Sequence, residues 1–347
     1  MYLDLINIDG INVKTSSFSY SIITYDKKNM GGKHSTFGLY RSVIVRDQHV
    51  VCYSPPKSLA PEHFIEKYPV ITNDIVVQEF VEGTMINAFW DTETSVWEIA
   101  TRKVIGARAS FSSEKLFRDM FFEAVDECGL NMDETLDKNM CYSFVLQHPD
   151  NRIVTPHKNP SLCLVAMYSF EDQTNIIHHD IYDERYRVKN VRVPNIYQYN
   201  DYNQVQKIFT NASCFLMGVV IYNKTTDERM KYRNKKFETA KNIRGEKEKL
   251  KYLFQSLKRE GRASQFLELF PQHTERFAEF NEDITKTANG LFRSYLNCYV
   301  NKSVDVTTMH VETKKHLYAL HQLYKKELRP NNQYVTPEIV NEYISSF

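Results

Sequence analysis

Three stretches of the chain carry side chains with chemistry to offer. In residues 76–107, strand-forming Val76, Val77, Phe80 and Val81 are interrupted by Glu82-Gly83-Thr84 before Met85, Ile86, Ala88, Phe89 and Trp90 resume an apolar strand. A glycine between two strand segments marks a bulge or a place where something approaches the backbone closely, so a ligand could sit there. The segment RMKYRNKKFETAK, residues 229–241, is the one dense basic run. It reads as an exposed charged face or, with Tyr232 and Phe237 between the cations, as a groove where phosphates pair and bases stack. His178-His179-Asp180 has metal-ligand residue types, but no second cluster of ligands stands at a suitable spacing. It therefore reads as a polar loop, and no metal site is assigned.

Composition narrows the classes. Lys and Arg total 44 against 43 Asp and Glu. A formal charge of +1 gives no global electrostatic argument for nucleic acid, so any basic site must be local. The six cysteines, Cys52, Cys128, Cys141, Cys163, Cys214 and Cys298, lie far apart without CxxC pairs and mostly in apolar surroundings. That pattern predicts buried, reduced thiols in a cytoplasmic chain, not a disulfide frame or a zinc site. No run of ~18 apolar residues suggests a membrane span, and MYLDLINIDG lacks a basic segment followed by an apolar core. The expectation is a soluble protein with no membrane partner.

The elements that must position these residues read as follows. Residues 40–46 form a strand, 47–49 a turn and 50–53 the returning strand, stopped by Ser54-Pro55-Pro56 because proline cannot donate to a ladder. Residues 76–81 and 85–90 are strand segments, with 96–101 returning after the turn Asp91-Thr92-Glu93-Thr94-Ser95. The whole of 76–107 reads as one hairpin unit. Residues 113–128 are a helix with Leu116, Met120 and Ala124 on one face, Ser113 as cap and Gly129 just beyond its end. Strands follow at 142–146, 152–154, 162–168 and 215–222. Beyond Gly245 the period becomes helical, with stripes at Leu250, Leu253, Phe254, Leu257 and at Leu317, Leu320, Tyr324, Leu328. Residues 265–270 and about 271–299 also favour helix, and Thr336-Pro337-Glu338 looks like a cap with proline in the first turn.

Taken together, GLYRSVIV (38–45), VVCYSPPKS (50–58), EFVEGTMINAFWD (79–91), WEIATRKVIG (97–106), FVLQHPDNRIV (144–154) and MGVVIYNKTTDERMKYR (217–233) stand in a recognisable order. Over about residues 38–245 they resemble the nucleotidyltransferase domain of phage-type ATP-dependent RNA ligases, in the superfamily of DNA ligases and mRNA capping enzymes. The SPPKS turn also resembles relatives of this fold in large cytoplasmic DNA viruses. The resemblance implies an α+β fold, antiparallel sheets with flanking helices over 1–245, followed by an all-helical domain over 246–347.

The resemblance also assigns positions. Arg41 and Lys57 match the family's early phosphate-contacting arginine and lysine, and Glu82 and Gly83 match the acid and glycine of its KxDG motif. Arg102 matches the basic residue of the TRG strand, Arg152 that of the PxNRIV piece, and Lys231 and Arg233 the KxK pair. The nucleophilic lysine falls on Phe80, whose ring has no lone pair to attack phosphorus. The two glutamates fall on Val145 and Met217, so the family's metal-binding carboxylates are apolar here. Lys67 and Lys103 lie near the motif but would be protonated if exposed. A site that keeps its cations and loses nucleophile and carboxylates suits holding an anion without transferring it.

The expectation is a catalytically degenerate RNA-ligase-like protein that binds RNA or nucleotide phosphate, with no catalytic residue and no cofactor. One alternative is an active RNA ligase with an atypical site, which would need ATP and Mg. The other is a viral structural or assembly protein, located in the virion. The helical domain is a candidate surface for a protein partner.

Overall fold

The structure is a computed structural model that describes residues 3, 11–15, 20–26, 38–110, 114–172, 175–209, 211–245 and 250–345. The chain divides into two compact units, Met1–Lys241 and Asn242–Phe347.

The first unit is mixed α+β and built from three antiparallel sheets. Strands β1 (Ile11–Thr15), β2 (Tyr20–Tyr25), β3 (Val43–Arg46) and β4 (His49–Tyr53) form one sheet in chain order. Strands β5 (Ile75–Glu79), β11 (Ile196–Tyr197), β12 (Gly218–Asn223) and β13 (Arg229–Arg233) form another, ordered β11-β5-β12-β13. The largest sheet runs β10-β9-β8-β6-β7, from β6 (Thr84–Asp91), β7 (Val96–Ala100), β8 (Met140–Gln147), β9 (Ser161–Phe170) and β10 (Ile176–His179). Helices α1 (Pro61–Lys67), α2 (Phe117–Cys128) and α3 (Tyr202–Lys207) flank them.

Strand alternation decides what each face of the largest sheet does. Ile86 and Ala88 of β6 and Tyr142, Phe144 and Leu146 of β8 share a core with Met120, Phe121 and Ala124 of α2. The intervening residues turn the other way. Phe89 and Cys141 pack with Val43, Ile44, Cys52 and Tyr53 of the first sheet. On that second face the buried polar groups are paired: Ser143 Oγ donates to Asn87 Oδ1 at 2.8 Å, and Asn87 Nδ2 donates to Ser54 Oγ at 2.7 Å. Gly129 caps α2 in the left-handed region at φ 63°, as expected.

Five local expectations change. Strand β3 begins at Val43, because Gly38–Tyr40 is a 3₁₀ turn and leaves Arg41 between the turn and the strand. Residues 152–154 are loop and not strand, since a buried carboxylate, and not a neighbouring strand, takes the Val154 and Thr155 amides. Residues 215–217 precede β12 as loop, held by Asn234, whose Nδ2 donates to the carbonyls of Ser213 at 2.8 Å and Leu216 at 2.9 Å. Strands β5 and β6 do not pair. Of the strands in 76–107, β6 and β7 form a hairpin, and β5 joins β12 in a different sheet. The helix at 113–128 starts at Phe117 with Leu116 as its cap residue, and the expected cap Ser113 lies outside the described residues.

The second unit is helical: α4 (Lys235–Arg244) leads into it, followed by α5 (Leu250–Arg259), α6 (Ala263–Leu269), α7 (Thr274–Tyr295), α8 (Val311–Leu323) and α9 (Pro337–Ser345). The stripe of α5 buries Phe254 and Leu257 with Phe266, Phe270 and Phe277. That of α8 buries Leu317 and Leu320 with Leu291, Tyr295 and Leu328. No helix among the described residues is long and apolar enough to cross a membrane.

Candidate phosphate-binding site

Glu82-Gly83 is where the chain steps from one sheet into the next. The Phe80 amide donates to the Gly218 carbonyl at 3.0 Å, closing the end of the β5–β12 ladder. Four residues later Thr84 is in register with Leu146 in the largest sheet. Between them the Glu82 carboxylate is buried and accepts from the Val154 amide at 2.8 Å, the Thr155 amide at 3.0 Å and Thr155 Oγ1 at 2.5 Å. Its hydrogen bonds therefore hold the 152–155 loop against the crossing. Arg152 belongs to the same constellation. Its Nε donates to the Val154 carbonyl at 2.9 Å, and its pKa is lowered by burial despite the nearby Glu82 charge.

Beside this crossing stands a group of cations. Residues 229, 231 and 233 alternate onto one side of β13, while Met230 faces the opposite core with Tyr232 packed against it. The Lys231 ammonium lies 4.2 Å from the Phe80 ring centroid, and the Arg233 guanidinium lies 5.7 Å from the same ring. Burial and the like charges of Arg41, Arg229 and Arg233 hold the Lys231 pKa well below the ordinary lysine value. Arg41 is pushed down to about 10 by burial and by Arg229 and Arg102, with Tyr25 and Tyr168 acting against the shift. The Tyr25 ring lies 5.4 Å from the Arg102 guanidinium and 5.6 Å from the Lys57 ammonium. Ser42 Oγ donates to the Arg102 carbonyl at 3.1 Å, tying the Arg41 turn to that residue. Arg102 Nε is buried and has no hydrogen-bond partner among the described residues.

The five expected cations Arg41, Lys57, Arg102, Lys231 and Arg233 thus belong to one linked set, whereas Arg152 lies with Glu82. Arg229 stood in the sequence only as the first residue of the basic run, with no role at the site. Its signal was the alternation of the RMKYR run, which places it on the same side of β13 as Lys231. Burial opposes its charge, but Asp227 and Tyr168 more than offset that, and its pKa is raised. Asp227 forms an ion pair with it and accepts from Tyr168 Oη at 2.8 Å.

At the positions matching the family's glutamates, Val145 is buried with Val81 and Cys163, and Met217 is half-buried with its carbonyl accepting from the Asn234 amide at 3.1 Å. Phe237 is fully buried, so its expected stacking on bases is corrected: the α4 face that carries it points into the protein. His178 packs its ring against Tyr168 and Tyr222, and His179 Nε2 is 2.7 Å from Ser169 Oγ. Lys67 is exposed and pairs with Glu228 at 2.7 Å, a hydrogen bond that raises its pKa, and Lys103 is exposed.

The chain is RNA-ligase-like. It is 25% identical over 121 residues to an RNA ligase of Rhodothermus phage RM378, a match covering 32% of the chain and 27% of the phage protein. It is 24% identical over 282 residues to the immediate-early protein ICP-46 homolog of Invertebrate iridescent virus 6, covering 74% of the chain and 60% of that protein. The chain therefore spans less than two thirds of either relative. Among solved structures, a putative ATP-dependent DNA ligase from Aquifex aeolicus superposes with a TM-score of 0.45 at 12% identity, over 91% of this chain and 77% of that one. No protein-family model matches the chain.

Proposed function

We propose that this chain binds the phosphate groups of RNA or of a nucleotide and does not carry out covalent nucleotidyl transfer. One observation carries the reading: Lys231 and Arg233 lie against Phe80, where an RNA ligase would need its lysine, and Arg41 acts electrostatically on Lys231 and is itself acted on by Arg102. An anion entering there meets guanidinium forks and an amine, the donors that bind phosphate best. Among the described residues neither Arg41, Arg102 nor Lys231 forms an ion pair with a carboxylate, so an anionic ligand need not displace a partner from them. A divalent metal does not fit the donor set. Val145 and Met217 offer no oxygen side chain, and the oxygens of Glu82 are taken by the 152–155 loop.

Two measurements test this. Incubation with ATP labelled in the α-phosphate, with Mg or Mn, is expected to leave no covalent adduct of the alkali-stable, acid-labile kind that a lysine phosphoramidate gives. A phosphoramidate mapped to Lys231, Lys67 or Lys103 would instead establish an active site of a new layout. Binding of a single-stranded oligoribonucleotide is expected to weaken with salt, with a log–log slope of about −0.7 per phosphate contacted. Changing Arg41, Lys57 and Lys231 together to alanine should weaken it on the order of 100-fold or more, each charge-assisted contact being worth about 1.5–3 kcal/mol. Equal binding by the triple variant would point to a scaffold role for this fold.

A further inference from the structure

The cation cluster has an internal conflict that a bound phosphate would relieve. Lys231 sits at the centre of β13, in register with Val220 of β12, and is flanked along its own strand by Arg229 and Arg233. Arg41 acts on it from the turn before β3, and the face of the Phe80 ring lies 4.2 Å from its amine.

Four carboxylates on the elements around it are engaged elsewhere. Asp227 is held by Arg229 and Tyr168, Glu228 by Lys67 and Tyr68, Glu238 by Arg233 and Glu79 by Arg192. On α1, which packs on β13, Glu62, His63 and Glu66 are exposed. On β12 the sole ionisable side chain is the phenol of Tyr222, buried and raised by that burial. With Val145 and Met217 in place of carboxylates, the Phe80 ring face is the group that favours the charged form of the amine, and burial with the three like charges outweighs it.

Resting on the phosphate-binding reading, we propose that Lys231 takes up a proton as the phosphate ligand enters, so that this site binds anion and proton together. Without an anion, burial and three neighbouring guanidiniums disfavour the ammonium form and hold the amine's pKa well below the ordinary lysine value. A phosphate among the same guanidiniums reverses the local field and offers an acceptor to an ammonium. The sign follows directly. The complex holds more protons than the free protein, so affinity falls as pH rises from the depressed value of free Lys231 toward the higher value in the complex. Arginine at the same position would stay charged throughout and remove the linkage.

Calorimetric titration of the full chain with AMP, in buffers of differing ionisation enthalpy, reads the protons taken up per ligand. At about pH 8.5 the phosphate is already a dianion, its second pKa being about 6, so any uptake belongs to the protein. The wild type is expected to take up a measurable fraction of one proton, with affinity falling up to about tenfold per pH unit across the window. Lys231→Arg is expected to bind AMP with no uptake and little pH dependence, and Lys231→Met to bind more weakly with no uptake. Circular dichroism and thermal melting confirm that each variant is folded. AMP bound without proton uptake, or with equal uptake by Lys231→Arg, overturns the proposal and leaves phosphate binding standing. Failure of the wild type to bind either AMP or a 5′-phosphorylated oligoribonucleotide at any pH overturns the phosphate-binding reading itself, and this proposal with it.

Discussion

Gly83→Ala is expected to unfold in urea with a stability lower by about 3–5 kcal/mol, from backbone strain and overpacking acting together. The backbone at Gly83 has φ 145°, a region that side-chain-bearing residues rarely adopt. A Cβ there would lie 2.4 Å from the Leu146 carbonyl oxygen and 2.6 Å from Val145 Cγ1. The first of these is main chain in the centre of the largest sheet and cannot rotate aside. The neighbouring contacts are equally constrained, because Phe80 is hydrogen-bonded to Gly218 on one side of the step and Glu82 holds Val154 and Thr155 on the other. Gly261→Ala is the matching control. It also has a left-handed φ, 68°, but nothing lies within 4 Å of the added carbon. Its cost should be that of the backbone conformation alone, about 1–2 kcal/mol. Equal losses in the two variants would mean that the sheet moves to admit the methyl group.

The same step explains what could and could not be read from the sequence. Glycine between two apolar runs announced a close approach, and the approach is real, but the thing approaching is the backbone of β8 and not a ligand. Local pattern could not reveal that β5 and β6 belong to different sheets, since both alternate normally and the switch depends on partners about 60 and 140 residues away. Residues 152–154 have strand-forming side chains, yet Glu82 supplies a tertiary acceptor for the amides and overrides the propensity. The basic run of 229–241 mixed two environments. Its first half is a strand whose odd residues reach the site, and its second half is a helix that buries Phe237. Where one element meets one core, as with the α2 face or the stripes of α5 and α8, periodicity was enough.

A second large effect is expected from the buried pair behind the site. Asp227 and Arg229 are both buried, and Asp227 occupies the left-handed region at φ 56°. Asparagine tolerates that conformation well, so Asp227→Asn removes the charge while leaving the turn intact. Arg229 would then be a buried cation beside Arg41 and Lys231 with no counter-charge, and breaking such a pair costs about 3–5 kcal/mol. Chemical denaturation reads this directly, and a loss below about 1 kcal/mol would mean that water or another group reaches Arg229. Replacing both partners, as Asp227→Asn with Arg229→Met, should restore much of the stability, because the cost lies in stranding a charge more than in losing the pair. The double variant also bears on Lys231. Removing the Arg229 charge takes away one of the three like charges that lower its pKa. Its proton uptake on binding AMP should then fall below that of the wild type, even though Lys231 itself is unchanged.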